Sequence, residues 1–154
     1  MSSAQEILKI ERSIVLKAPR SRVWRALTSA EEFASWFMVT ISGEFAPGGR
    51  AVLVTQHPEY AGIKFPLYVQ RSEPEHLFSW KWYPGDAMPE KEDPERLTDV
   101  TFTLEEVQGG TRLTVVETGF ERVDLAVRTK ALRQNEEGWQ GQLAAIDKYL
   151  HGQT

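Results

Sequence analysis

Few side chains in this sequence are spaced for catalysis or metal binding. The three histidines, His57, His76 and His151, stand far apart, and none has the H-x-H or i, i+4 spacing of a zinc or copper site. The chain has no cysteine, which excludes disulfides, thiolate nucleophiles and cysteine metal sites. It also lacks the G-x-G-x-x-G, Walker, G-x-S-x-G and H-E-x-x-H motifs. We therefore predict no metal site and no cofactor.

Glu117 is the remaining candidate for acid–base chemistry. It continues the alternation of Leu113 and Val115, so a strict period of two places its carboxyl group on the interior face of a strand. Burial raises the pKa of a carboxyl group, which suits it to act as an acid or base, or to accept a hydrogen bond from a ligand hydroxyl. The alternative is a strand end at which Glu117 reaches solvent.

Two short helices are predicted after a first strand. Residues 7–17 alternate loosely between apolar and charged side chains, which indicates the strand. Pro19 suits the first turn of a helix, and an apolar stripe at helical spacing follows it. Ser29 and Glu32 form a capping-box pattern that starts the second helix. That helix should place three rings against the core: Phe33, Trp36 and Phe37.

From Val39 to about Phe120 the pattern is that of strands and turns. Turn signals occur at Pro47-Gly48-Gly49, at Gly62 and at Gly109-Gly110. Between them apolar and polar residues alternate, which predicts about six further strands in an antiparallel meander. The proline- and acid-rich stretch from Tyr83 to Arg96 is longer than most hairpin loops. It is either the rim or lid of a site, or a solvated loop without function.

A long helix is predicted from Gly119 to the C-terminus. Its apolar residues recur at intervals of three, four and seven: Leu132, Trp139, Leu143, Ile146 and Leu150. Gly138 and Gly141 flank Trp139, and each glycine costs roughly 0.8–1.0 kcal/mol relative to alanine in a helix. Either a strand or a ligand approaches the backbone there, or the glycines are tolerated at exposed positions.

Composition limits the classes of partner. A chain of 154 residues fits one domain over 1–154, with a core from about 8 to 150. The net charge of −4 and the lack of a Lys/Arg cluster argue against nucleic-acid binding. No run of about 18 apolar residues predicts a membrane span, and residues Met1 to Ile10 do not resemble a signal peptide. A cytoplasmic location is expected.

Several motifs resemble one known family. The segment A-P-R-S-R-V-W-R-A-L-T, residues 18–28, is similar to the opening of START-like (SRPBCC, Bet v-like) domains. Further matches are Trp36, the turn F-A-P-G-G at 45–49, the segment G-G-T-R-L-T at 109–114, and the pair Gly138-Trp139. This set resembles the bacterial branch related to the activator of heat-shock protein 90 ATPase, from about residue 8 to 150.

The resemblance implies an α+β helix-grip fold. In that fold a curved antiparallel sheet of about seven strands, with two short helices after strand 1, wraps around a long C-terminal helix. A helix laid across a curved sheet commonly leaves an apolar pocket between the two. Its expected lining comes from the concave face and the helix stripe: Phe65, Phe78, Trp80, Trp82, Phe102, Trp139 and Leu143. Any one of these side chains is more often plain core than a ligand contact, because aromatic stripes usually fill protein interiors, so only the whole set indicates a cavity.

Three functions follow from the resemblance and the aromatic faces. The first, which we favour because it needs no catalyst, is binding of a small hydrophobic or amphipathic molecule of the lipid, sterol or aromatic class. The second is a cyclase or hydrolase that uses Glu117 as acid or base. The third is an interaction module with a chaperone contact or a homodimer contact. The sequence has no counterpart of the separate N-terminal domain of the eukaryotic co-chaperone, so ATPase activation is not expected.

Overall fold

The computed structural model describes residues 8–58, 61–85 and 87–151. The elements in chain order are β1 Ile10–Leu16, α1 Arg20–Thr28, α2 Ala30–Phe37, β2 Val39–Gly43, β3 Arg50–Thr55, β4 Lys64–Glu73, β5 Leu77–Trp82, β6 Thr98–Val107, β7 Gly110–Thr118 and α3 Leu125–His151. Short 3-10 turns lie at Pro94–Arg96 and Phe120–Arg122. The prediction that the N-terminus is not a signal peptide concerns a segment of which residues 1–7 lie outside the described residues. No described helix is long and apolar enough to cross a membrane.

The strands form one antiparallel sheet of seven in the order β1-β7-β6-β5-β4-β3-β2. Each of β2 to β7 pairs with its neighbour in sequence, as the short connections require. The first strand returns to the far edge and pairs with β7, so that Ile10 lies opposite Glu117 and Leu16 opposite Thr111. The predicted α+β class, the seven strands and the long C-terminal helix are confirmed.

The two short helices are joined at Ser29. The Oγ atom of Ser29 accepts a hydrogen bond from the backbone N–H of Glu32 at 3.3 Å, which is half of the predicted capping box. The predicted aromatic residues of α2 are buried as expected: Phe33, Trp36 and Phe37. Helix α1 begins at Arg20, so Pro19 is the residue before the first turn rather than part of it. Its fixed backbone angle is suited to either position.

The core lies between the concave face of the sheet and α3. Five residues of α3 are buried: Ala131, Asn135, Trp139, Leu143 and Ile146. Leu132 and Leu150, which the spacing places on the same stripe, pack against the core while remaining partly exposed. The predicted stripe is therefore buried at Trp139, Leu143 and Ile146 and half-buried at its two ends, Leu132 and Leu150.

Glu32 ties α1 and α2 to the C-terminal end of α3. Its Oε1 atom accepts hydrogen bonds from Arg22 Nη1 at 2.7 Å and from the Tyr149 hydroxyl at 2.9 Å. Its Oε2 atom accepts from Arg25 Nε at 2.7 Å. Burial alone would raise the pKa of Glu32, but the hydrogen bonds from Arg22, Tyr149 and Arg25 hold that pKa below its usual value.

We expect this group of contacts to make the fold sensitive to acid. A carboxylate whose pKa is lowered by folding stabilises the folded state fully above its unfolded pKa of about 4.5. This stabilisation is lost as the pH falls through the pKa of the folded state. Glu32→Gln should therefore lower the free energy of unfolding by about 1–2 kcal/mol at pH 7 and by less at pH 3. Urea unfolding followed by circular dichroism at both pH values measures this. Glu31→Gln, one residue away and exposed, is the control, and equal losses at pH 7 and pH 3 would contradict the prediction.

Candidate functional site

A cavity of about 560 Å³ opens between α3 and strands β3 to β5. Its walls come from the end of α2, the three strands, the start of the β5–β6 connection and one side of α3. Five aromatic side chains line it: Phe37, Phe65, Trp82, Tyr83 and Trp139. The indole rings of Trp82 and Trp139 stack with their centroids 5.6 Å apart. The cavity therefore has a largely aromatic wall between the sheet and the helix.

The polar lining divides into a mouth and an interior. Lys64 and Glu137 are exposed, so their charges lie at the mouth in contact with solvent. Two apolar side chains share the mouth, and Ile63 and Met88 keep 48% and 46% of their surface exposed. Asn135 is different, because it lines the cavity although only 9% of its surface is exposed. Asn135 thus supplies a buried amide to the wall, while Tyr83, which is also buried, supplies a hydroxyl group that accepts a hydrogen bond from the backbone N–H of Asp93.

Glu117 lies behind this wall and is completely buried. Both of its oxygens are occupied by side-chain donors. Oε1 accepts from Trp139 Nε1 at 2.8 Å and from Asn135 Nδ2 at 2.8 Å. Oε2 accepts from Thr98 Oγ1 at 2.6 Å, from Trp82 Nε1 at 2.9 Å and from Asn135 Nδ2 at 3.0 Å. One carboxyl group therefore joins β5, β6, β7 and α3.

The electrostatics of Glu117 follow from its burial. Removal from water raises the pKa of Glu117, and the hydrogen bonds from Thr98, Trp139, Trp82 and Asn135 oppose that rise. Within the described ranges no lysine, arginine or histidine forms an ion pair with this carboxyl group. Buried carboxyl groups without a counter-charge need such a complete set of donors, because an unmet acceptor in the core is costly.

The structure separates the predicted lining residues into two groups. Phe65, Trp82 and Trp139 line the cavity. The other four belong to the buried core beside it: Phe78, Trp80, Phe102 and Leu143. Trp80 illustrates the reason, since its ring centroid lies 5.1 Å from that of Phe102 and 6.3 Å from that of Trp139. Alternation along a strand predicts which face a ring occupies, but not whether neighbouring rings leave space beside it.

The interior position predicted for Glu117 is observed, and two of its partners were not predicted. Thr98 lies opposite Trp82 in the β5–β6 ladder, and Asn135 precedes Trp139 by four residues on the buried face of α3. The sequence does contain a signal for the position of Asn135. Residues at i and i+4 share a face of a helix, so a polar residue one turn from a predicted core tryptophan should also face the core. Among the metal-ligating side chains of residues 8–58, 61–85 and 87–151, no group of three or more is placed to hold an ion.

The connection between β5 and β6 reaches both the cavity and the outside of the sheet. At its start, Gly85 adopts a positive φ of +52° and lies against α3, where a Cβ atom would come within 2.4 Å of Gln134 Oε1. Met88 then lines the mouth. Further on, Glu92 accepts hydrogen bonds from Arg50 and Tyr68 on β3 and β4. The first part of the connection is thus the rim of the cavity, while its role as a lid remains a prediction.

The family model described as activator of Hsp90 ATPase homolog 1-like protein matches residues 17–151. The chain belongs to this family. The match confirms the predicted resemblance to START-like domains of the branch related to the activator of Hsp90 ATPase. No curated protein matches the chain.

Solved structures of similar proteins agree with the family's fold. Protein MLL2253 from Mesorhizobium loti is 21% identical, with a TM-score of 0.75 over 95% of this chain and 98% of that one. The Aha1 dimer from Colwellia psychrerythraea is 18% identical, with a TM-score of 0.68 over 90% of this chain and 92% of that one. DynU16, from the dynemicin biosynthetic locus, is 19% identical, with a TM-score of 0.70 over 95% of this chain and 48% of its own. At these identities the likeness shows the fold.

The residues of this chain that carry the family motifs serve mainly its scaffold. Trp36 donates its indole N–H to the carbonyl of Ala26 at 2.8 Å, which fixes α2 against α1. Gly110 must lack a side chain, because a Cβ atom there would lie 1.9 Å from the Leu16 carbonyl oxygen. The pair Gly138-Trp139 is the exception, since both residues line the cavity.

Proposed function

We propose that this protein binds a small hydrophobic or amphipathic molecule, of the lipid, sterol or aromatic class, in the cavity between α3 and the sheet. The observation that carries the proposal is the cavity itself, whose volume of about 560 Å³ falls in the range typical of small-molecule sites. Its aromatic walls supply apolar contact area, and Asn135 supplies a buried polar contact. Such a combination is what an amphipathic ligand requires.

The expected affinity is modest. An apolar ligand that hides on the order of 300 Å² would gain about 7 kcal/mol at the usual ~25 cal/mol per Å². Losses of translational, rotational and side-chain freedom reduce this gain. Affinities in the micromolar range or weaker are therefore expected, which is compatible with a protein that captures and releases its ligand.

The contacts of Glu117 support a binding role over a catalytic one. Both oxygens already accept hydrogen bonds, and none of the carboxyl group is exposed. A general acid or base must come within hydrogen-bonding distance of the reacting atom. Three of the four donors to Glu117 stand between it and the cavity: Trp82, Asn135 and Trp139. In this proposal Glu117 holds the wall in place and does not touch the ligand.

Tryptophan fluorescence provides a direct test. Because Trp82 and Trp139 line the cavity, a bound ligand should change the emission of the protein in a saturable way. We expect at least one of dodecanoate, cholesterol and 2-naphthol to do so, with an apparent Kd of about 10–1000 μM. Emission is followed during titration, with equilibrium dialysis as a second measurement for the fluorescent naphthol.

A matched variant identifies the source of the signal. Trp24 lies on α1, with its ring edge against Phe78 and away from the cavity lining. Trp24→Phe should therefore retain the ligand-induced change. If none of the three ligand classes binds by either measurement, the proposed function is wrong.

A further inference from the structure

Three side chains form the wall that separates Glu117 from the cavity, and all three donate their side-chain N–H groups to Glu117. The indole N–H groups of Trp82 and Trp139 both donate to the Glu117 carboxyl group. Asn135 directs its amide nitrogen to both oxygens of the same group, at 2.8 and 3.0 Å. These three side chains form part of the cavity lining, so their N–H groups are engaged behind the wall and are not offered to a ligand.

Asn135 is left with one polar atom, its carbonyl oxygen. Within the part of the chain that the structure describes, no donor bonds to Asn135 Oδ1, and this oxygen is not among the polar atoms sealed from solvent without a partner. The side chain lines the cavity and is otherwise buried. Oδ1 is therefore the group that Asn135 offers to the cavity, as a hydrogen-bond acceptor.

Glu117 fixes this orientation of the amide. Rotating the Asn135 amide by 180° would bring its oxygen against the carboxyl oxygens of Glu117, where two acceptors would face each other. The constraint holds for the charged carboxylate, and it also holds for a neutral Glu117 whose proton lies on Oε2 towards Thr98, because the Thr98 hydroxyl can accept that hydrogen bond and donate its own hydrogen to the Trp82 carbonyl at 3.4 Å. In these two states the polar atom that Asn135 offers to the cavity is an acceptor.

We propose that the cavity selects ligands in which an apolar, preferably aromatic, body carries a hydrogen-bond donor, either a hydroxyl group or a protonated amine, which binds Asn135 Oδ1. This inference rests on the proposed binding function and specifies its ligand class. A carboxylate at the same point would place two acceptors together, and the side-chain N–H groups of Trp82, Asn135 and Trp139 are already bonded to Glu117. The charged side chains that line the cavity, Lys64 and Glu137, are exposed at the mouth, where water weakens their influence.

The test compares four probes that share one ring system. They are 2-naphthol, 2-naphthylmethylamine at pH 7, 2-methylnaphthalene and 2-naphthoate, and binding to the full chain is measured by equilibrium dialysis. The naphthol, the ammonium or both should bind about 10-fold more tightly than 2-methylnaphthalene. The naphthoate should be the weakest of the four. If just one of the two donors shows the advantage, that one defines the class of ligand.

Variants assign the preference to Asn135. Asn135→Leu should bring the donor probes within about 3-fold of 2-methylnaphthalene, which should itself still bind, because the change removes the acceptor and keeps an apolar wall. Gln140→Leu, the same kind of change at an exposed position of α3 outside the cavity lining, should leave the advantage of the naphthol unchanged.

The outcomes separate the two proposals. Equal binding of 2-naphthol and 2-methylnaphthalene, or tighter binding of the naphthoate, would overturn the assigned ligand class while leaving the cavity as a binding site. Failure of all four probes, when dodecanoate or cholesterol does bind, would also overturn the assigned ligand class, whereas failure of every one of these ligands would overturn the proposed function. The comparison among probes needs only the unaltered chain, so it decides the matter even if Asn135→Leu does not fold.

Discussion

Replacing Glu117 by leucine is expected to lower the free energy of unfolding by roughly 3–5 kcal/mol. The change leaves four buried donors without their acceptor: Trp82 Nε1, Thr98 Oγ1, Asn135 Nδ2 and Trp139 Nε1. Each orphaned buried donor costs about 1–3 kcal/mol, and the gain from burying leucine offsets part of the sum. Urea unfolding at pH 7, followed by far-UV circular dichroism, measures the loss.

An exposed glutamate near the end of β6 serves as the control. Glu106 on β6 is exposed, so Glu106→Leu should change the free energy of unfolding by less than about 0.5 kcal/mol. If Glu117→Leu proved as stable as the unaltered chain, the buried hydrogen bonds would not be the element that joins β5 to β7 with α3.

The isosteric variant Glu117→Gln separates the charge from the hydrogen bonds. Because burial raises the folded pKa of Glu117, its ionisation costs folding stability as the pH rises from about 4.5, the unfolded value, to the folded pKa. Glutamine cannot ionise, so the difference in stability between Glu117→Gln and the unaltered chain should shift in favour of glutamine over that pH range. A difference that stays constant with pH would contradict the raised pKa.

The order and type of the elements could be predicted because each depends on local spacing. Alternation at Leu113, Val115 and Glu117 placed the carboxyl group inside, and it is completely buried. The glycine-rich turns divided the meander correctly, since the strands on either side of Gly109-Gly110 pair as predicted. These features depend only on the spacing of apolar residues along the chain and on the residue types at its turns.

Which of the buried side chains line the cavity could not be predicted in the same way. Phe78 and Trp80 share a strand with Trp82, and all three are buried, yet only Trp82 reaches the cavity lining. Which ring borders a space depends on sheet curvature and on the rings that pack from α2 and α3, such as Phe33 5.6 Å from Trp80. Those distances link residues far apart in the sequence.

The buried carboxyl group of Glu117 contributes both to the stability of the fold and to the shape of the cavity wall. Glu117 receives its donors from two strands and from α3, and three of those donors form part of the cavity wall. A rigid wall lowers the cost of ordering side chains when a ligand binds. The predicted loss of stability in Glu117→Leu and the acceptor offered by Asn135 are therefore two consequences of one set of hydrogen bonds.

Gly138→Leu is expected to weaken binding of 2-methylnaphthalene at least about 10-fold while making the fold more stable. Gly138 lines the cavity, and a Cβ atom built there meets nothing within 4 Å, so the new side chain enters space that the ligand would occupy. Gly141 also has open space at its Cβ position but does not line the cavity. Gly141→Leu should therefore give a similar helix stabilisation, about 0.8 kcal/mol, without the loss of affinity. Equilibrium dialysis and urea unfolding of both variants measure the two effects. Unchanged affinity in Gly138→Leu would mean that the ligand does not occupy the space beside Gly138, and that the two glycines are simply tolerated at exposed positions of α3.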